Sequence, residues 1–196
     1  MKPKKEAILR TVLDMMTSKT GQKNLTLSNI AKDMGIGKST IYEYFTTKEE
    51  IIKEAMFLMI AENIDYILLN NNPQEKGFKE AFYTHLRRSL EIAKKNQMTD
   101  DLMHNVEWIK VSTTHKKEIM ERLMGFYEKS KAHMSNIFRI GVEQGILNEN
   151  DLKESSIAIE SLLLGFVIAG GSPFNNWETY DSIDVIYDSV IVLANR

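Results

Sequence analysis

Cysteine is absent from the 196-residue chain, which excludes disulfides and thiolate metal sites and suits a reducing compartment. No apolar run reaches the roughly 18 residues of a transmembrane span. Lys2, Lys4 and Lys5 lead into an amphipathic segment and not into an apolar leader, so a cytoplasmic protein without membrane contact is expected. Proline is scarce, at three residues, and Pro73 and Pro173 both fall where helical patterns stop. There is no phosphate-binding glycine loop, no nucleophile setting and no carboxylate pair in a distinctive context. Enzymatic activity, a cofactor and a metal are therefore not expected. His104 and Glu107 have a helical i, i+3 spacing, but two such ligands recur by chance and do not make a metal site.

What is present is apolar substance and uneven charge. Apolar residues make up 43% of the chain, enough for one large domain or two small ones. The formal net charge is −2, which by itself disfavours nucleic acid. Its distribution does not. Residues 1–54 hold ten Lys or Arg against seven Asp or Glu, and residues 55–196 hold fifteen against twenty. A positive N-terminal end favours phosphate contact there.

That end also carries the most informative pattern. Residues 4–19 place Ile8, Leu9, Val12, Leu13, Met15 and Met16 on one helical stripe, with Gly21 as a stop. A short second helix follows, with Ile30, Ala31 and Met34 inward and either Ser28 or Thr26 as its N-cap. Gly35 ends it with a positive φ expected, and Ile36 plugs the core beneath the turn. In the third helix Ile41 and Tyr42 face inward and Phe45 closes it, while Lys38, Ser39, Thr40, Glu43 and Tyr44 are offered outward. Tyr42 has two readings, as a core residue or as a ring whose hydroxyl reaches DNA. Thr46 or Thr47 caps a fourth helix, and Thr47 and Glu50 have capping-box spacing at its start. Two short helices across a glycine turn make a helix-turn-helix, in which one helix braces and the other enters the major groove.

Over residues 25–53 this segment resembles the DNA-binding domain of the TetR family of bacterial transcriptional regulators. The match is gapless through Thr26, Ile30, Ala31, Gly35, Ile36, Thr40, Ile41, Tyr42, Tyr44, Phe45, Lys48 and Ile51. Beyond it the likeness is one of length and helical character. The resemblance implies a homodimer whose two reading heads bind a palindromic double-stranded DNA operator, with a ligand pocket in the larger domain. It makes Lys38, Ser39, Thr40 and Tyr44 groove-facing. It makes Thr26, Ser28, Tyr42 and Lys48 backbone contacts, with Gly37 opening the recognition helix. The chemistry agrees: a lysine there reaches guanine O6 or N7, and a threonine offers a methyl to thymine or a hydroxyl to phosphate.

The expected fold is all-α. Residues 1–47 form a three-helix DNA-binding domain, and residues 48–196 a larger helical ligand-binding and dimerisation domain. Its helices are expected over 48–69, 74–95, 99–111, 114–144, 152–170 and 178–194. The last segment is dense in β-branched residues, as a strand would be, but its length and surroundings favour helix. The segments 152–170 and 178–194 are apolar over more faces than a surface helix needs, and are the expected homodimer surface. Phe82, Met103, Glu107, Trp108, Met124, Tyr127, Phe138 and Phe166 are candidate walls of a pocket for a small apolar effector, because methionine and aromatic side chains suit adaptable apolar sites. Each is equally readable as core. The chain thus reads as a ligand-responsive repressor. The alternative is a regulator of the same fold that activates, acts as a nucleoid-type factor, answers to a protein partner, or represses without an effector.

Overall fold

The computed structural model describes residues 3–17, 25–97, 113, 115–171 and 179–196. The expected stop at Gly21, the helix over 99–111 and the loop at Pro173 lie outside the described residues. Among those described, the regular structure is helical: α1 (Pro3–Thr17), α2 (Leu27–Asp33), α3 (Lys38–Tyr42), α4 (Lys48–Leu68), α5 (Pro73–Gln97), α6 (Lys116–Glu143), α7 (Glu149–Glu154), α8 (Ser156–Gly170) and α9 (Thr179–Leu193). The fold is all-α, with an N-terminal helix-turn-helix. The chain divides into two compact units, 1–62 with 98–126, and 63–97 with 127–196. The first therefore holds more than the reading head expected over 1–47. It takes in most of α4 and the start of α6.

The first unit closes on one apolar core. Ile8, Leu9 and Val12 from α1, Ile30 and Ala31 from α2, and Ile41 from α3 meet Ile51, Ile52, Ala55 and Met56 from α4. Three short helices bury too little surface to be stable alone, and α4 supplies the missing wall. Lys53 is also buried here, at 8% exposure, because its ammonium donates to Glu118 Oε2 at 2.7 Å. That lysine hydrogen bond holds the Glu118 carboxyl below its ordinary range.

In the second unit, α5, α6, α8 and α9 enclose Phe78, Phe82, Leu86, Ile137, Ile140, Ile159, Phe166, Ile183 and Val190. A ring cluster lies within it: Phe78 and Phe82 are each 5.7 Å from Tyr187. α5 is kinked at Gly77, and Gln144 Oε1 accepts the Phe78 N–H at 3.0 Å where the helix resumes. Gly141 explains a close approach. A Cβ there would lie 2.7 Å from Leu147 Cδ1 and 2.9 Å from Phe78 Cδ2, so its missing side chain makes room for protein. The single helix expected over 152–170 is two, α7 and α8, interrupted at Ser155. Ser155 is buried, and its hydroxyl donates to the Leu193 carbonyl at 2.8 Å, a bond made outside its own helix. The β-branched segment is helical, as α9.

Candidate nucleic-acid interface and effector cleft

The reading head is set by its turn. The Ile36 N–H donates to the Ala31 carbonyl at 2.9 Å, and Gly35 sits at φ +63°. A five-residue back-bond of this kind requires the left-handed backbone that glycine adopts without strain. Thr26, not Ser28, caps α2: its Oγ1 accepts the Asn29 N–H at 3.2 Å. Ser28 falls inside the helix, too late to cap. The Thr26 hydroxyl proton stays available to a phosphate oxygen. At α4, Thr47 Oγ1 accepts the Glu50 N–H at 3.1 Å. Glu50 Oε2 in turn accepts from the Thr46 N–H at 2.7 Å, so the returning half of the box lands one residue earlier than expected.

This scaffold sorts the candidate DNA contacts. Thr26, Ser28, Gly37, Lys38 and Ser39 are exposed or half-exposed, and Thr40 and Lys48 are half-buried. Tyr42 is 57% exposed, so it is not the inner anchor that the sequence also allowed. Tyr44 is the tyrosine that turns in, packing against the core. α3 is only five residues long, and the turn that follows it sets Tyr44 against the core. The outward tyrosine is Tyr42. Lys5 is held 5.1 Å over the Phe45 ring, adding a cation to the same unit.

The second unit contains a cleft of about 1120 Å³ between α5, α6, α7 and α8. Of the candidate walls, Tyr127 and Phe138 line it. Phe82 and Phe166 do not: both belong to the core, at 0% and 5% exposure. Met124 is exposed on α6 in the first unit, away from the lining. Met103, Glu107 and Trp108 lie outside the described residues. Sequence reasoning did not pair the buried His85 with the half-buried His133. The two are 48 positions apart on different helices, and no local pattern joins them. Among the described residues no three His, Asp or Glu side chains could hold a metal ion. No helix among them is long and apolar enough to cross a membrane.

Residues 15–55 match the family described as bacterial regulatory proteins, tetR family. Those residues belong to the TetR family of transcriptional regulators. The family match ends within α4, and the relatives match over less than half of the chain. The HTH-type transcriptional regulator YxbF of Bacillus subtilis (strain 168) is 30% identical over 77 residues, 39% of this chain and 20% of that protein. The nucleoid occlusion factor SlmA of Haemophilus influenzae (strain PittGG) is 25% identical over 100 residues, 49% of this chain and 44% of that one. The chain thus matches a fifth to under a half of these relatives' lengths. The TetR family transcriptional regulator PfmR of Thermus thermophilus has the same fold, with a TM-score of 0.51 at 20% identity over 96% of this chain and 99% of its own. A solved protein from Pseudomonas aeruginosa PAO1 gives 0.63 at 13% identity, over 99% and 92%.

Proposed function

We propose that this TetR-family protein is a cytoplasmic, ligand-responsive repressor. As a homodimer it binds a palindromic operator and is released by a small, mostly apolar effector. The observation that carries this reading is a solvent-facing set of groove-type side chains in one unit and a large, mainly apolar cleft in the other. Lys38, Ser39 and Thr40 read base edges. Thr26, Ser28, Gly37, Tyr42 and Lys48 hold the phosphate backbone, and Tyr44 braces the recognition helix from within. Residues 1–47 act as the DNA-binding domain and residues 48–196 as the regulatory one.

Dimerisation through α8 and α9 is supported by apolar side chains that one chain leaves uncovered: Ile157 at 81% exposure, Leu164, Ile168, Val185 and Val192. α4 and α6 each supply residues to both units, and displacement of either by a bound effector is the proposed route of release. A tenfold loss of operator affinity needs only about 1.4 kcal/mol of coupling, and the operator must weaken the effector by the same factor. A second reading, a nucleoid-type factor of the same fold, is favoured by the resemblance to the nucleoid occlusion factor SlmA. Selection from random duplexes separates these outcomes. The repressor reading expects an inverted repeat whose binding is weakened by a compound that also loses affinity for the DNA-bound protein. A selected pool without an inverted repeat refutes it.

A further inference from the structure

His85 and His133 are unused by DNA binding, yet their geometry specifies a ligand group. Their Nδ1 atoms lie 3.1 Å apart, with the rings at 16° to one another. One nitrogen must donate and the other accept. His133 Nε2 lies 2.7 Å from the Asn71 carbonyl, which can only accept. With both rings neutral, His133 therefore carries its proton on Nε2 and offers a bare Nδ1. His85 must donate from Nδ1, which leaves its Nε2 as a bare acceptor. Among the described residues no hydrogen bond is made to that atom, and His85 lines the cleft. Burial lowers the His85 pKa to about 3, so the ring stays neutral and cannot serve as a cation for an anionic ligand.

The rest of the lining narrows the class. Leu86, Ile92, Met134, Phe138, Ile159 and Leu163 give it apolar walls. Its charged residues are balanced, with Lys131, Arg139 and Lys153 against Glu143, Glu149 and Glu160. Lys131 is paired with Glu160 at 3.4 Å, and Arg139 with Glu143. A charged ligand would have to compete with these internal partners.

We propose that the cleft takes an uncharged, largely apolar small molecule bearing one hydroxyl donor, a phenol or alcohol, whose proton is accepted by His85 Nε2. This rests on the reading of the cleft as the effector site. His133 is a positioning residue: it selects the His85 tautomer from the backbone of the turn between α4 and α5. The ligand hydroxyl would thereby be joined, through two imidazoles, to the Asn71 carbonyl just beyond the end of α4.

The test uses the full chain at about pH 8, with 4-hexylphenol, its methyl ether 4-hexylanisole, and 4-hexylbenzoate as calorimetric probes. The phenol should bind about tenfold more tightly than the ether, the yield of one buried hydrogen bond, and the benzoate most weakly. His85→Phe should erase the phenol preference while keeping ether affinity. His85→Gln, which retains an acceptor, should keep part of it. Nitrogen-15 spectra of the unliganded wild type, independent of any variant's folding, should show His85 protonated at Nδ1 and bare at Nε2. The phenol, and not the ether, should shift the Nε2 signal.

A protonated Nε2, equal affinities for phenol and ether, a preference that survives His85→Phe, or no binding of either probe would each overturn the inference. Operator band shifts with the same proteins keep the two readings apart. Release of DNA by compounds that lack a hydroxyl would sink the donor reading and leave the effector-responsive repressor standing.

Discussion

His85 should make the protein acid-sensitive in a calculable way. The side chain is 5% exposed, and burial with the neighbouring His133 lowers its pKa from 6.5 to about 3. Between those values the unfolded chain takes up a proton that the folded chain refuses, so stability falls as the pH drops. From about pH 7.5 to about pH 5 the loss through this one group is about 2 kcal/mol, rising to about 5 kcal/mol below pH 3. His85→Phe fills a similar volume and removes the titration. The assay is urea denaturation of both proteins at the two pH values and one protein concentration, followed by circular dichroism. Wild type should lose about 2 kcal/mol more than the variant over this interval. Titrating groups that do not touch His85 are common to both and cancel in the difference, and a His133→Phe control isolates the contribution of its partner ring. Parallel losses would show that His85 is protonated inside the fold, or that its surroundings open before it titrates, and the reasoning would fail.

Three further outcomes are expected. Tyr42→Ala should weaken operator binding without lowering the thermal midpoint, whereas Tyr44→Ala should cost about 2 kcal/mol of stability because its ring packs on the core; the opposite pattern in band shifts and melts would reverse the assignment. Lys48→Ala should lower the salt dependence of binding by about one phosphate contact, while Lys38→Ala should relax preference at particular base pairs by about 1–3 kcal/mol, both read by titration of the selected operator at several salt concentrations. Ile157→Glu, at a side chain 81% exposed in one chain, should give a folded monomer by sedimentation and circular dichroism, whereas Ile186→Glu, at 8% exposure, should disrupt the helical body itself. A dimer that survives Ile157→Glu would move the interface elsewhere.

Much of the reading head was legible in the sequence because its determinants are local. Gly35 had to take a positive φ, Ile30, Ala31 and Ile41 had to point inward, and Thr46 or Thr47 had to cap α4; each follows from a handful of adjacent residues. Most described helices of the second unit were legible for the same reason, since periodicity and stop signals are short-range, but the break at Ser155 was not. Tertiary packing was needed wherever two local solutions were equally good. Thr26 and Ser28 both have capping chemistry, and only the helix start selects Thr26. Tyr42 and Tyr44 flank the end of a five-residue helix, where a small rotation exchanges their faces. An aromatic on an apolar stripe looks alike whether it fills a core, as Phe82 does, or lines a cleft, as Phe138 does. The pairing of His85 with His133 carries no sequence signal, because a hydrogen bond across 48 residues exists only once α5 and α6 are packed. By itself, then, the sequence determined helix positions and the DNA-reading motif, through interactions a few residues long. Which side chains face the cleft, and which tautomer His85 presents to it, were decided by packing between distant segments.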